Sequence, residues 1–325
     1  VTGPSAADLL EAARSGDVRA TARLVSLVED DSPRLPEVMA ALVGRTSGVR
    51  SIGITGAPGV GKSTLVSALV TAVRARRSSV GVLAVDPTSP FSGGAVLGDR
   101  VRMQEHALDP GVFIRSMASR GHLGGLSWAT PQALRVLDAA GFDVVLIETV
   151  GVGQSEVEVA GLADTTVVVL APGMGDGIQA AKAGILEVGD VFVVNKADRD
   201  GAGQVVRDLT AMLRAAPTVP APDSPGWTPP VVRTVAHRGE GLDRLIDAVD
   251  DHSSWLRTSG RLAHRRRRQA QDEVEAIAAA RFVARARDAL GSRVLEVSEQ
   301  VATGRIDPFA AADVYLAARR PTDSV

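Results

Sequence analysis

Cysteine is absent from the 325 residues, which rules out disulfides, thiolate metal sites and a cysteine nucleophile. That fits a reducing compartment, with the cytoplasm as the expectation. Aromatic residues make up only 3% of the chain, so the core must rest on Val, Leu, Ile and Ala, the composition of a parallel sheet covered by helices. A net charge of -2 gives no overall attraction to nucleic acid or to an anionic membrane, and neither is expected as a partner. No apolar run approaches the ~20 residues needed to cross a bilayer. The opening "VTGPSAADLLEAARSGD" mixes charge into its apolar positions, unlike a signal peptide.

What is present is ordinary in bulk, 45% hydrophobic and 23% charged, and long enough for one large domain with appendages or two modest ones. Residues 1–50 read as short helices, with Asp17 as a cap and Pro36 in a first turn. From Ser51 the pattern changes to short Val/Ile-rich runs alternating with helical stretches: "SIGIT", "VGVLAVD", "VFIRSMA", "DVVLIET", "TTVVVLA", "DVFVVNK" and "VVRTVA". Seven such runs predict a doubly wound, mostly parallel α/β sheet over residues 51–255. Two stretches are loops by composition, 87–99 and 216–230. Residues 256–325 turn helical again, with Val274, Ile277, Phe282, Ala286 and Leu290 at roughly three-or-four spacing and shorter helices beginning near Ser292 and Asp307.

"GAPGVGKST" follows the first strand and opens a helix, the context that makes G-x-x-x-x-G-K-[ST] a P-loop. Its residues Gly56, Ala57, Pro58, Gly59, Val60, Gly61, Lys62, Ser63 and Thr64 are expected to wrap a nucleotide. The glycines let amide N–H groups converge on phosphates at a positive helix end, Lys62 reaches the β and γ phosphates, and Ser63 ligates Mg²⁺.

"NKAD" ends the sixth run, with Asn195, Lys196 and Asp198 as base-binding candidates. A carboxylate at Asp198 accepts from both the ring N–H and the exocyclic amine of guanine. Adenine lacks that amine and turns an acceptor toward the same oxygens, a mismatch that can be worth ~10⁴-fold. GTP and GDP are therefore favoured over ATP. The "TVA" of Thr234, Val235 and Ala236 then suits the loop whose backbone N–H meets the guanine carbonyl. For magnesium the acidic candidates are Asp86 and Glu148 at strand ends and Asp99 at the end of a glycine-rich loop. Mg²⁺ needs only one or two carboxylates, so which of these touch it stays open.

"ETVGVGQSE" has the outline of a phosphate-sensing switch, with two departures. A Ras-like switch has Asp where Glu148 stands, and a water-orienting Gln where Val152 stands. Slow hydrolysis by the isolated protein follows as an expectation.

Taken together, "GAPGVGKST", "DPTSPFSGGAVLGDRVRM", "RSMASRGHLGGLS", "ETVGVGQSE" and "NKAD" closely resemble the methylmalonyl-CoA mutase-associated GTPases, the MeaB/ArgK family, over nearly the whole chain. The resemblance implies a GTPase chaperone that docks on an adenosylcobalamin-dependent mutase, assists cofactor loading and protects the enzyme. It also implies a homodimer through a C-terminal helical dimerisation arm, and a mobile third switch at residues 173–185 in which Lys182 matches a lysine implicated in partner-stimulated hydrolysis. Gln154 and Lys182 could complete the site, alongside Lys62, once a partner orders the switches. Two rival functions make different demands of the chain. A nickel-insertion maturation GTPase would need clustered soft or imidazole ligands, and the chain offers no Cys and five scattered His. A kinase acting on a transport-system protein would need a phosphoacceptor or catalytic-base signature, and none is visible. "RRRR" at 265–268 points all round a helix and is followed by acidic residues, so it reads as a solvated face.

Overall fold

A computed structural model describes residues 3–86, 103–106, 108–118, 129–149, 155–173, 185–215 and 226–318. The chain divides into two compact units, Val1–Ala263 and His264–Val325.

The first unit is built on seven strands: β1 (Arg50–Thr55), β2 (Val80–Asp86), β3 (Val112–Ala118), β4 (Val144–Thr149), β5 (Thr165–Leu170), β6 (Val191–Val194) and β7 (Val231–Arg233). They form one sheet in the order β3-β2-β4-β1-β5-β6-β7, and every pairing is parallel. The sheet is thus wholly rather than mostly parallel. Each expected run supplies a strand, but β7 stops at Arg233, ahead of the 3₁₀ turn Ala236–Arg238. β4 and β5 are buried along their entire length, as strands covered on both faces must be, which is why they read as continuous Val/Ile/Leu runs rather than as alternating ones.

Helices cover both faces. On one, α4 (Lys62–Ala75) and α9 (Leu242–Thr258) bury Leu65, Leu69, Val70, Leu245 and Val249 against Ile54, Val82, Leu146 and Val169. On the other, α1 (Ala6–Arg14), α2 (Val18–Glu29) and α3 (Leu35–Leu42) join α5 (Thr130–Ala140), with Leu10, Leu24, Val25, Val38 and Leu137 meeting Leu83, Phe113, Val145 and Ile147. The N-terminal helices therefore share a core with the sheet. Each such fully buried side chain is worth roughly 1.5–3 kcal/mol of transfer free energy. Asp17 caps α2 as expected, accepting from the N–H groups of Arg19 and Ala20. Two further helices follow β4 and β6: α6 (Ser155–Leu162) and, after the single turn α7 (Ile185–Val188), α8 (Ala202–Ala215), whose Val205 and Leu209 pack on Phe192 and Val194.

Two polar fastenings hold the connections. Arg74 donates to both oxygens of Asp109, at 2.8 Å each, tying the chain that enters β3 to α4. The Arg74 guanidinium, helped by the Gly111 N–H, holds the Asp109 carboxyl below the usual carboxylate range. Its stabilisation is complete above the unfolded-chain value of about 3.9 and is lost as the pH falls through the lower folded value. The other fastening is Asp138 on α5, whose Oδ1 accepts from Ser47 N (2.9 Å), Ser47 Oγ (2.9 Å), Gly48 N (3.0 Å) and Val49 N (3.1 Å) and so fixes the chain that leads into β1.

The second unit consists of α10 (Arg261–Leu290) beyond its first turn, α11 (Arg293–Ala302) and α12 (Pro308–Ala317), the last capped by Asp307. The apolar positions expected along α10 divide: Ala286 and Leu290 are buried, whereas Val274 and Phe282 are exposed. No helix among the described residues is long and apolar enough to cross a membrane.

Asp138→Ala removes the common acceptor for these four donors. It is expected to cost about 1.5–3 kcal/mol. A thermal melt that drops by several degrees, against no change, is the check.

Candidate nucleotide-binding site

The C-terminal ends of the parallel strands share one edge, and the expected site residues of the described chain gather there. After β1 the chain turns through residues 56–64 into α4, with Gly56, Gly59 and Gly61 at φ 140°, 80° and 95°. Two of these positions also lack space. A Cβ on Gly56 would lie 2.2 Å from the Val169 carbonyl oxygen, and one on Gly61 would lie 2.6 Å from Asn195 Nδ2. Glycine is thus required twice over, by the positive φ and by the close approach of β5 and the loop after β6.

Lys62 is 7% exposed, and its Nζ donates to the carbonyl oxygens of Gly56 (2.7 Å) and Ala57 (3.1 Å). An ammonium inside a turn of backbone amides at a helix N-terminus makes an electropositive concavity suited to phosphate. Ser63 Oγ donates to Glu148 Oε1 at 2.7 Å, and Glu148 is buried near the end of β4, where it is the register partner of Ile54 on β1 and of Ala84 on β2. The backbone of Asp86 closes β2 at the same edge. Asp99, Gln154 and Lys182 lie outside the described residues, as does residue 152.

Asn195, 2% exposed, connects three segments. Its Nδ2 donates to the Val60 carbonyl (2.9 Å), while its Oδ1 accepts from Thr234 Oγ1 (3.1 Å) and from the Ala236 N–H (3.1 Å). The backbone adds Thr234 N–H to Val194 O and Ala197 N–H to Thr234 O, both at 3.0 Å. Lys196 sits at φ 56°, a conformation that costs a non-glycine residue roughly 1–3 kcal/mol. Its Nζ reaches back to the Gly59 carbonyl at 2.5 Å.

A cavity of about 330 Å³ opens among Gly61, Thr64, Lys196, Asp198, Ala236 and His237. Each N–H of "TVA" already has an acceptor within the protein: Thr234 on Val194, Val235 on Glu240 and Ala236 on Asn195. A guanine carbonyl meeting the Ala236 N–H would share it with Asn195. Arg199 and His237 also line the cavity and were not foreseen, although each directly follows a recognised motif. Arg238, 3.8 Å from Asp198, had no signal in the sequence at all. Among the described residues no group of three or more His, Cys, Asp or Glu gathers to hold a metal.

A wholly parallel sheet with this glycine loop between its central strand and a helix defines a P-loop nucleotide-binding protein. Residues 21–290 match the family described as "Methylmalonyl Co-A mutase-associated GTPase MeaB", and the chain belongs to that family. It is 46% identical over 309 residues to a protein of Pyrococcus horikoshii named as a GTPase, covering 95% of this chain and 96% of the other. It is 36% identical over 267 residues to the GTPase ArgK of Escherichia coli, covering 81% and 80%. A crystal structure of a LAO/AO transport system kinase superposes with a TM-score of 0.68 at 25% identity, over 97% of this chain and 98% of the other.

Asn195→Ala would leave the Val60 carbonyl, the Thr234 hydroxyl and the Ala236 N–H without this partner. A loss of about 2–4 kcal/mol is expected by urea denaturation, and Thr234→Val should cost less, about 1 kcal/mol.

Proposed function

We propose that this protein binds and hydrolyses GTP, and that it serves as a chaperone assisting adenosylcobalamin loading and protection of methylmalonyl-CoA mutase. The observation that carries the GTPase part is the Asn195 amide, which joins the P-loop to the loop bearing Asp198 and supports reading that carboxylate as the guanine acceptor beside the phosphates. The client rests on the family description, which names a mutase-associated GTPase.

In this reading Lys62 and the loop amides neutralise the β and γ phosphates, and Asp198 accepts from two guanine N–H groups. Ser63 and Glu148, a hydroxyl and a carboxylate 2.7 Å apart, form an all-oxygen donor pair that fits Mg²⁺, with Asp86 and Asp99 as further candidates. When bound, the ion offsets charge on the phosphate oxygens. Gln154 orients the attacking water, and Lys182 adds positive charge late, both once a partner is bound. The isolated protein therefore turns over slowly. The reading also takes residues 1–50 as a helical extension, 51–255 as the GTPase domain and 256–325 as a homodimerising arm, in a cytoplasmic protein.

The test is GTP hydrolysis by the purified protein, with ATP as control, alone and with methylmalonyl-CoA mutase. GTP-selective turnover well below ~10 per second, rising at least about tenfold with the mutase and losing that rise in Lys182→Ala, is expected. Fast basal turnover would overturn the partner-completed switch, and no rise would overturn the client.

A further inference from the structure

The wall between two cavities is where the base-reading carboxylate stands. Asp198 lines the cavity of about 330 Å³ that also holds Lys196 and His237, and equally a second of about 390 Å³ that includes Arg233, Glu240 and Arg244. Its side chain is 29% exposed. A carboxylate with open space on both sides can rotate, yet accepting from two donors on one edge of a base requires both oxygens to lie near the plane of that base.

Among the described residues, Arg238 is the cation that reaches this carboxylate, with Nη2 3.8 Å from Asp198 Oδ2. Its other terminal nitrogen, Nη1, lies 3.8 Å from Glu240 Oε1. The turn that carries Arg238 is tightly built. Arg238 ends a 3₁₀ turn, Ala236–Arg238, closed by Gly239 in the left-handed region, and its N–H donates to Val235 O at 2.9 Å. Val235 N–H in turn donates to Glu240 O at 3.0 Å. Gly241 then passes so close to Arg233 that a Cβ would lie 2.1 Å from its carbonyl oxygen. The guanidinium is thus delivered by a constrained turn to a point between two carboxylates.

At 3.8 Å the contact with Asp198 is longer than a hydrogen bond, so it attracts the carboxylate without occupying the lone pairs that a base would use. We propose that Arg238, tethered by Glu240, is a positioning residue for guanine specificity: its charge orients the Asp198 carboxylate so that both of its oxygens face the two guanine donors. This rests on the reading that Asp198 recognises guanine. Both partners are partly exposed, at 55% and 29%, so the effect is modest and screened by salt.

The measurement is the ratio of affinities for GDP and IDP. Hypoxanthine keeps the ring N–H but lacks the exocyclic amine, so the ratio reports on the second hydrogen bond. Calorimetric titration of the full chain with each nucleotide is compared for wild type, Arg238→Ala, Arg238→Lys, Glu240→Gln and Asp198→Asn, with thermal melts to verify folding. Arg238→Ala is expected to weaken GDP binding about two- to fivefold more than IDP binding at low salt, with the difference shrinking at high salt. Arg238→Lys keeps the charge and retains most of the ratio, whereas Glu240→Gln lowers it by less than Arg238→Ala does. Equal losses for the two nucleotides in Arg238→Ala, or no loss, would overturn the positioning role while Asp198→Asn still abolished the preference for GDP. An undiminished preference for GDP in Asp198→Asn would instead remove the base reading itself, and this proposal with it.

Discussion

One side-chain amide sets the geometry of the whole nucleotide edge. Asn195 has a donor and an acceptor pointing in different directions, and both are used: the donor on the P-loop carbonyl of Val60, the acceptor on Thr234 and Ala236. A carboxylate there could not donate, and an apolar side chain would leave buried polar groups unmatched, each at about 1–3 kcal/mol. Because the loops it joins begin at the ends of β1, β6 and β7, the phosphate cradle and the base-side loop are held as one piece.

That edge exists only because the sheet is parallel throughout. Parallel strands end together, and the helices between them return the chain to the opposite side, so every loop that leaves a strand end faces the same crevice. The sheet is stable in this form because both faces are covered, one by α4 and α9, the other by α5 together with α1, α2 and α3. The N-terminal helices close the face on which Val145 and Ile147 stand, whereas Glu148 follows Val144 and Leu146 on the face covered by α4, whose Ser63 it meets. In the second unit, burial of Ala286 and Leu290 but not of Val274 or Phe282 shows a long helix whose apolar positions are only partly used within the unit.

Much of this was legible in the letters. The seven Val/Ile-rich runs became the seven strands, Asp17, Ser292 and Asp307 stand at the helix starts where they were expected, and the P-loop lies between β1 and α4. Less legible were relations between residues far apart in sequence. That Gly61 must be glycine because Asn195 presses on it, that Asp138 gathers the backbone of residues 47–49, and that Lys196 reaches across to Gly59 involve separations of roughly 90 to 140 positions. No local spacing carries such information. The "TVA" loop shows the same limit: its letters suggested backbone donors for a base, whereas the fold has already committed each of those donors to an acceptor in the protein.

By itself the sequence determined the period of each element and the place of the glycine loop between strand and helix, because hydrophobic period and glycine spacing are local properties of the chain. The tertiary structure decided which of those local features touch. It placed Glu148 against Ser63, made Asn195 the tie between loops, and brought Arg238 to Asp198. Strand order and crossover direction control those meetings, and they are settled by how the helices pack on the two faces of the sheet rather than by any single stretch of residues.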